Sequence, residues 1–524
     1  MTILESLNFN INTGLLTTSL LGLFIIYNFK KWYNMRKHFE KCNLKGPKPS
    51  PIIGNFFSII QRGMPYNDKY LIDTYGKTLG YFEFASPVIL TTDPKLLKLI
   101  LIKDFNNFSN RNAIEAIQFD PLDRMLSFLK DDEWKNTRSI LSAVFSSGKL
   151  KSMSKLMIEC SYRLNDHLVK LEEKDEYFDA RKLFGYLSLD MMCSCCFGFS
   201  VDSINDPNNE ILKHVRNLSI DSLTKDPRLI LLILFPKFTN FLRERKLFNY
   251  FCPKESTDYL KSLSAEIINR RKNKLEKRDD FIQIMVEHEE QIKNEDNLKQ
   301  KTEQTWDSKT SVLKKTLSTE EIFSQAIMFL FAGYETSSIA LNLISYNLAT
   351  HPECQDLLCQ EVDKILEKYG EISYDSVQEM NYMNMVIDET LRMYPPALRF
   401  DRVAKEDYEY EDIKIKKGQI ISVPIWALHH DEEVYPDPDK FIPERFNDEN
   451  KKSRDSSAYL PFGSGPRSCI GMRFAFLEIK FTLAAILSKF KFVKCDKTPE
   501  KIQIDSSGIS RPIVPNILKL HNRF

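Results

Sequence analysis

Helical periods dominate this chain and strict alternation is rare. Apolar residues recur at helical spacing over Phe178 to Phe197, Ile211 to Leu223 and Phe474 to Leu483, and Pro94 to Ile102 predicts a short amphipathic helix. Leu79 to Phe84 and Pro87 to Thr92 alternate as a β-hairpin should. The longest apolar stretch, Ile322 to about Leu348, is apolar almost all round. It predicts a central helix, and Ser318-Thr319-Glu320-Glu321 ahead of it fits a capping box. His351-Pro352-Glu353 opens a helix to about Tyr369, and Met385 to Met393 forms the next, stopped by Pro395-Pro396. Ile413 to Ile415 and Ile420 to Val423 predict strands around a turn at Lys417-Gly418, followed by Pro-rich coil to Asn450. Asn294 to Lys315 has no apolar period and predicts a mobile surface loop. The fold class is mainly α with a small β component.

The amino-terminal pattern is different in kind. Ile11 to Phe29 is apolar apart from Asn12, Asn28 and four hydroxyl residues, which is nearly long enough to cross a bilayer core. Lys30, Lys31, Arg36, Lys37 and Lys41 follow it, whereas only Glu5 carries charge ahead of it. The positive-inside rule then places the amino terminus across the membrane and the rest of the chain in the cytosol. A cleaved signal peptide needs a basic start and a small-residue cleavage site, and the segment has neither. Gly46-Pro47-Lys48-Pro49-Ser50-Pro51 is a stiff, non-helical spacer. The expected division is an anchor over 1–29, a basic and Pro-rich spacer over 30–51, and one large catalytic domain over 52–524. The run Leu229 to Phe235 is either core or a second dip into the membrane surface.

Composition narrows this further. No Gly/Ser or Pro linker divides the 524 residues into halves, so one large fold is expected. With 73 Lys+Arg against 72 Asp+Glu, nothing points to nucleic acid as a partner. The ten cysteines form no disulfide framework; Cys193, Cys195 and Cys196 match no common zinc spacing and read as buried core.

Four places carry candidate chemistry. Phe462-Gly463-Ser464-Gly465-Pro466-Arg467-Ser468-Cys469-Ile470-Gly471 is a Gly-rich turn before a helix, where the dipole favours a thiolate at Cys469. Trp134 and Arg138, at i,i+4, can present an indole N–H and a guanidinium to one anion. Within the central helix, Phe331-Ala332-Gly333-Tyr334-Glu335-Thr336 sets a small-residue notch beside an acid and a hydroxyl. Glu335 there is either bonded to a buried arginine in a kinked structural helix or part of a reactive site. Glu389 and Arg392, at i,i+3, share a helix face, with Arg445 in Pro443-Glu444-Arg445-Phe446 further along.

Taken in order, W-x-x-x-R, A-G-x-E-T, E-x-x-R, P-E-R-F and F-x-x-G-x-R-x-C-x-G resemble the motif set of the cytochrome P-450 superfamily. Phe331 to Ser338 and Pro461 to Ala475 resemble its microsomal branch, family three, subfamily A. The resemblance implies a mostly helical P-450 fold with haem b between the Thr336 helix and the Cys469 helix. It makes Cys469 the axial iron ligand. Arg467, Trp134, Arg138 and Arg402, with Arg111 as a further candidate, would neutralise the haem propionates, with Phe462 at the cofactor. Glu389, Arg392 and Arg445 become a structural network. Thr336 would hydrogen-bond dioxygen or an ordered water, and Glu335 would join the proton path to solvent. By position, Phe119, Phe128, Phe331, Ala332, Ala397, Leu398 and Ile509 would line an apolar substrate pocket. The implied activity is insertion of one oxygen atom from O2 into a lipophilic molecule at the endoplasmic reticulum membrane. Because the chain has no flavin or nicotinamide motif, electrons from NADPH would arrive through an NADPH-cytochrome P-450 reductase, with cytochrome b5 as a further candidate donor. A haem-thiolate isomerase and a non-catalytic haem or sterol binder are the competing functions.

Overall fold

The computed structural model describes all residues except 1–2, 52, 85, 113–121, 219–240, 242–244, 246–252, 301–315 and 506–507. Its principal helices are α1 (Ile3–Lys41), α2 (Phe56–Arg62), α3 (Met64–Tyr75), α4 (Asp131–Ser142), α5 (Ser147–Glu173), α6 (Ala180–Met192) and α7 (Glu210–Leu218). They continue with α8 (Lys254–Lys272), α9 (Phe281–Gln300), α10 (Thr319–Thr350), α11 (Pro352–Tyr369), α12 (Asn381–Met393) and α13 (Met472–Leu487). The strands are β1 (Thr78–Glu83), β2 (Ser86–Thr91), β3 (Phe178–Asp179), β4 (Arg399–Val403), β5 (Tyr408–Tyr410), β6 (Ile413–Ile415), β7 (Ile420–Pro424), β8 (Phe490–Lys494) and β9 (Ile517–Asn522). The protein is mainly helical with small sheets, as the periodicity predicts, and forms two compact units.

The first unit comprises Met1–Phe108 and Arg399–Leu428. The predicted hairpin is present: β1 pairs antiparallel with β2, Thr78 opposite Thr91, so that Leu79, Tyr81, Val88 and Leu90 share one buried face with Ile59 and Leu71. Beside it β7 runs parallel to β2 and antiparallel to β4. The two strands expected around Lys417-Gly418 both exist but do not pair with each other. β6 pairs with β5, while the buried Ile421 and Val423 give β7 a central place between β2 and β4. The predicted helix from Pro94 is α-helical to Lys98 and continues as a π-turn over Leu99–Lys103.

α1 runs past residue 29 through the basic segment to Lys41; Met35 and Phe39 are buried there and Phe39 packs edge-on against Phe82, 5.1 Å between centroids. Trp32 Nε1 donates to the Pro49 carbonyl at 2.8 Å, so the proline spacer lies against the helix. Earlier along α1, Leu23, Ile26, Tyr27 and Phe29 are exposed.

The second unit comprises Ser109–Leu398 and His429–Phe524. Its core is α10, opened by the capping box: Ser318 Oγ accepts from Glu321 N at 3.2 Å and Glu321 Oε2 accepts from Ser318 N at 2.7 Å. Among the described residues α10 is the one helix long and apolar enough to cross a membrane, and most of it is buried in the core. α6 lies against it at close range. A Cβ on Gly333 would stand 2.3 Å from Met192 Sδ, so the glycine exists to admit that thioether. α9 extends to Gln300, and the start of the segment expected as a loop from Asn294 is therefore helix; 301–315 lie outside the described residues. The helix expected over Ile211 to Leu223 is α7, described to Leu218, and the 229–235 run also falls outside them. Cys193, Cys195 and Cys196 sit on a π-turn after α6, fully packed and with their thiols pushed up by burial. No group of metal-binding side chains occurs among the described residues.

Candidate active site

The cysteine turn is held by two left-handed glycines. Gly463 has φ 69° and Gly465 φ 71°, a conformation that strains any side chain with a Cβ. Cys469 N donates to the Phe462 carbonyl at 2.8 Å and Ser468 N to that of Gly465 at 3.0 Å, closing the loop just ahead of α13. Phe462 rests against Phe476, centroids 5.7 Å apart. The thiol of Cys469 is thus presented at a helix N-terminus. Burial raises its pKa, opposed by the backbone N–H groups of Gly471 and Met472 and by the charges of Arg138 and Arg111. The residue is nevertheless solvent-exposed. A thiol that protein surrounds but does not cover faces a concavity.

α10 shows the same signature. Its residues are nearly all buried on both sides of the motif, yet Ala332 is exposed and Phe331, Gly333 and Thr336 are half-buried. Thr336 Oγ1 donates to the Ala332 carbonyl at 2.5 Å, the ordinary i−4 bond of a helical threonine. Glu335 points the other way. It is 7% exposed and meets Arg511 Nη2 at 2.5 Å, and Arg511 Nη1 lies 3.7 Å from the partly exposed Asp505. The acid thus has the buried arginine that one sequence reading required, together with a charged route toward the surface. Helices α10 and α13 pack together, and Phe145 touches both neighbourhoods: it lies 5.3 Å from Phe329 centroid to centroid and borders Gly471.

The proposed propionate residues fall into three situations. Arg467 is 3% exposed; its Nε donates to Ser109 O and its Nη2 to Leu129 O, both at 2.8 Å, while its guanidinium lies 4.1 Å from the Trp134 ring centre. It therefore clamps the backbone leading into α4 and stacks on Trp134, itself buried. Arg138 and Arg111 form a second group, coupled electrostatically to each other and to Cys469, with burial lowering the pKa of Arg138. Arg402 belongs to the first unit, on β4, where it is 1% exposed and donates to Asp401 O at 2.7 Å.

Glu389, Arg392 and Arg445 are brought together. Arg392 grips Glu389 with two bonds of 2.7 and 2.9 Å and donates to the carbonyls of His429 and Pro438; Arg445 Nε stands 3.4 Å from Glu389. Of the pocket candidates, Ala397 and Ile509 form a β-bridge, with Leu398 N donating to Gly508 O at 3.0 Å. Phe128 is half-buried and Phe119 lies outside the described residues. Sequence reasoning missed Arg511, Met192 and Phe145. Only the first left a trace, since an acid in an apolar helix demands a cation somewhere.

A mainly helical body with an open cysteine ahead of a helix N-terminus fits the haem-thiolate class that the motif set resembles. Residues 44–520 match the family model Cytochrome P450, so the chain belongs to the cytochrome P450 family. Cytochrome P450 3A25 of Mus musculus is 35% identical over 518 residues, 98% of each chain. Cytochrome P450 3A18 of Rattus norvegicus is 36% identical over 98% of this chain and 99% of its own. Cytochrome P450 3A27 of Oncorhynchus mykiss is 36% identical over 98% and 95% respectively. Membership makes the protein a haem-iron oxidoreductase of the monooxygenase type and implies a redox partner and a lipophilic substrate. The residues present fit haem: an accessible sulfur with two N–H groups directed at it, arginines beside it, and a helix stripped to Ala332 where it meets open space.

Proposed function

We propose that this protein inserts one atom of dioxygen into a lipophilic small molecule, a xenobiotic, steroid or fatty acid, using electrons from NADPH relayed by an NADPH-cytochrome P-450 reductase, with cytochrome b5 as an accessory donor. The observation that carries this reading is the open Cys469 thiol ringed by the Gly471 and Met472 N–H groups and by Arg138 and Arg111. Haem b held there would supply dioxygen activation, to which a thiolate ligand contributes electron density. Cys469 would hold the iron, and Arg138 and Arg111, with Arg467 and Trp134, would bind and orient the propionates.

On the other side of the reaction, the chain manages protons. Thr336 commits its hydrogen to the Ala332 carbonyl, which leaves its oxygen lone pairs free to accept from a water and fix that water's position. Glu335, through Arg511 and Asp505, holds a polar path to solvent in an otherwise apolar core. Phe331, Ala332, Ala397, Leu398 and Ile509 would exclude bulk water and favour a greasy ligand. A single-pass anchor in the endoplasmic reticulum membrane, with the catalytic domain in the cytosol, is supported by the apolar 11–29 stretch, the exposed Leu23, Ile26 and Tyr27, and the basic residues after it.

Replacing Thr336 by Ala should leave haem content intact and divert reducing equivalents to peroxide, read as NADPH consumed per product formed with the reductase present. Unchanged coupling would remove Thr336 from proton delivery, and turnover of a lipid hydroperoxide without NADPH would favour the isomerase instead.

A further inference from the structure

Helix α13, which starts at the cysteine turn, carries a second acid that the proposed mechanism does not use. Glu478 is 0% exposed, and neither carboxyl oxygen closes a hydrogen bond of good geometry with a described residue. Two hydroxyls face it: Ser188 from α6, itself 0% exposed and without a hydrogen-bond partner at Oγ, and Ser337 from α10, 3% exposed. They are near enough to hold its pKa down, but burial prevails and raises it from 4.5 to about 7.

The other ionisable groups do not supply a counter-charge. Cys195 and Cys196, on the π-turn after α6, are held as neutral thiols by burial first, and Glu478 adds only a smaller push in the same direction. Asp280, at the start of α9, is bound by Arg271 of α8 at 3.0 Å and by Gln283 N at 2.8 Å, so Arg271 is spent there. Lys480, on α13 itself, donates to the Val377 carbonyl at 2.7 Å; burial lowers its pKa to about 8, and the acids that oppose this are Glu361 and Asp388. Among the described residues no cation contributes to Glu478, and an unpaired carboxylate in such a place is costly, whereas a neutral acid is not.

We infer that Glu478 is kept as the protonated carboxylic acid and, with Ser188 and Ser337, forms a buried site for a titratable proton and an ordered water that ties α6, α10 and α13 together. The acid O–H donates and its carbonyl accepts, so a water with two to four polar partners completes a set that the three side chains cannot close alone. The site lies behind the reactive face: α13 carries the cysteine turn at its N-terminus and Ser337 follows Thr336 on α10. Glu478 is therefore a positioning residue for the two helices that bear the site. This does not depend on the proposed substrate chemistry, and neither does its test.

Infrared spectra of the haem-loaded full chain should contain a protonated-carboxyl C=O band at pH 6 that shifts in D2O, disappears by pH 9 and is missing from Glu478→Gln. The thermal midpoint of the wild type should fall relative to Glu478→Gln between pH 5 and pH 8, the two coinciding near pH 5. A carboxyl band unchanged in Glu478→Gln, or parallel stability curves, overturns the inference. Ser188→Ala should shift the band without removing it, and a band insensitive to Ser188→Ala removes the water site. Should Glu478→Gln fail to fold, the band is assigned by its shift in Ser188→Ala, since Asp190 is also raised to about 7, and absence of a titrating carboxyl band counts against the proton.

Discussion

Glu389 and Glu478 are both completely removed from solvent within the same unit, and the fold treats them in opposite ways. Glu389 is saturated: a two-pronged grip from Arg392, Arg445 beside it, and Ile442 N donating at 3.0 Å. Glu478 has two serines near it and, among the described residues, no cation. The first acid is met by two guanidinium groups and a backbone N–H, whereas the second is held neutral by its solitude. Burial alone says nothing about charge; the donors that surround the group decide it.

Breaking the first arrangement should have the largest effect. Arg392→Ala leaves Glu389 buried and unmatched and opens the bonds to His429 and Pro438, so a loss of about 3–5 kcal/mol is expected by chemical denaturation. Arg392→Lys should recover little, because an ammonium cannot reproduce two parallel N–H bonds. An effect under about 1 kcal/mol for Arg392→Ala would mean that the network is not buried in solution.

The next effect tests packing rather than charge. Gly333→Ala drives a methyl into Met192, which should cost about 1–3 kcal/mol despite the gain in helix propensity. Met192→Ala should rescue Gly333→Ala in a double-mutant cycle, and additive effects would sever the contact.

Glu478→Gln is the smallest change near pH 5 and acts with the opposite sign above it. Because the folded-state pKa lies above the ordinary 4.5, the folded protein binds the extra proton. Stability in the wild type therefore falls as pH rises from about 4.5 to about 7 and then levels off, by up to about 3 kcal/mol at about 1.4 kcal/mol per pKa unit. Glutamine abolishes that slope.

These contrasts also mark what the sequence discloses. Local signals were legible: the Ser318 capping box, the alternation of β1 and β2, and the glycines that turn the chain into Cys469. The i,i+3 spacing of Glu389 and Arg392 was visible for the same reason, since both lie on one helix. Partners far apart in sequence were not legible. Arg511, which meets Glu335 across 176 positions, has no spacing that announces it. The pairing of β6 with β5 instead of β7 is likewise a matter of which strand can bury both faces. α1 reads as anchor and spacer because polarity changes at Lys30, but Met35 and Phe39 find a core and keep the segment helical. For Glu478 the sequence shows only an acid in an apolar helix, and its protonation follows from the absence of a cation, a property of the packed core.

Whether Cys469 is the haem-iron ligand of a monooxygenase is read from the carbon monoxide spectrum of the reduced, purified full chain. The wild type should show the red-shifted Soret band of thiolate-ligated ferrous haem, and Cys469→Ala should lose it. A histidine-type carbon monoxide spectrum, or a red-shifted band that survives Cys469→Ala, would contradict it.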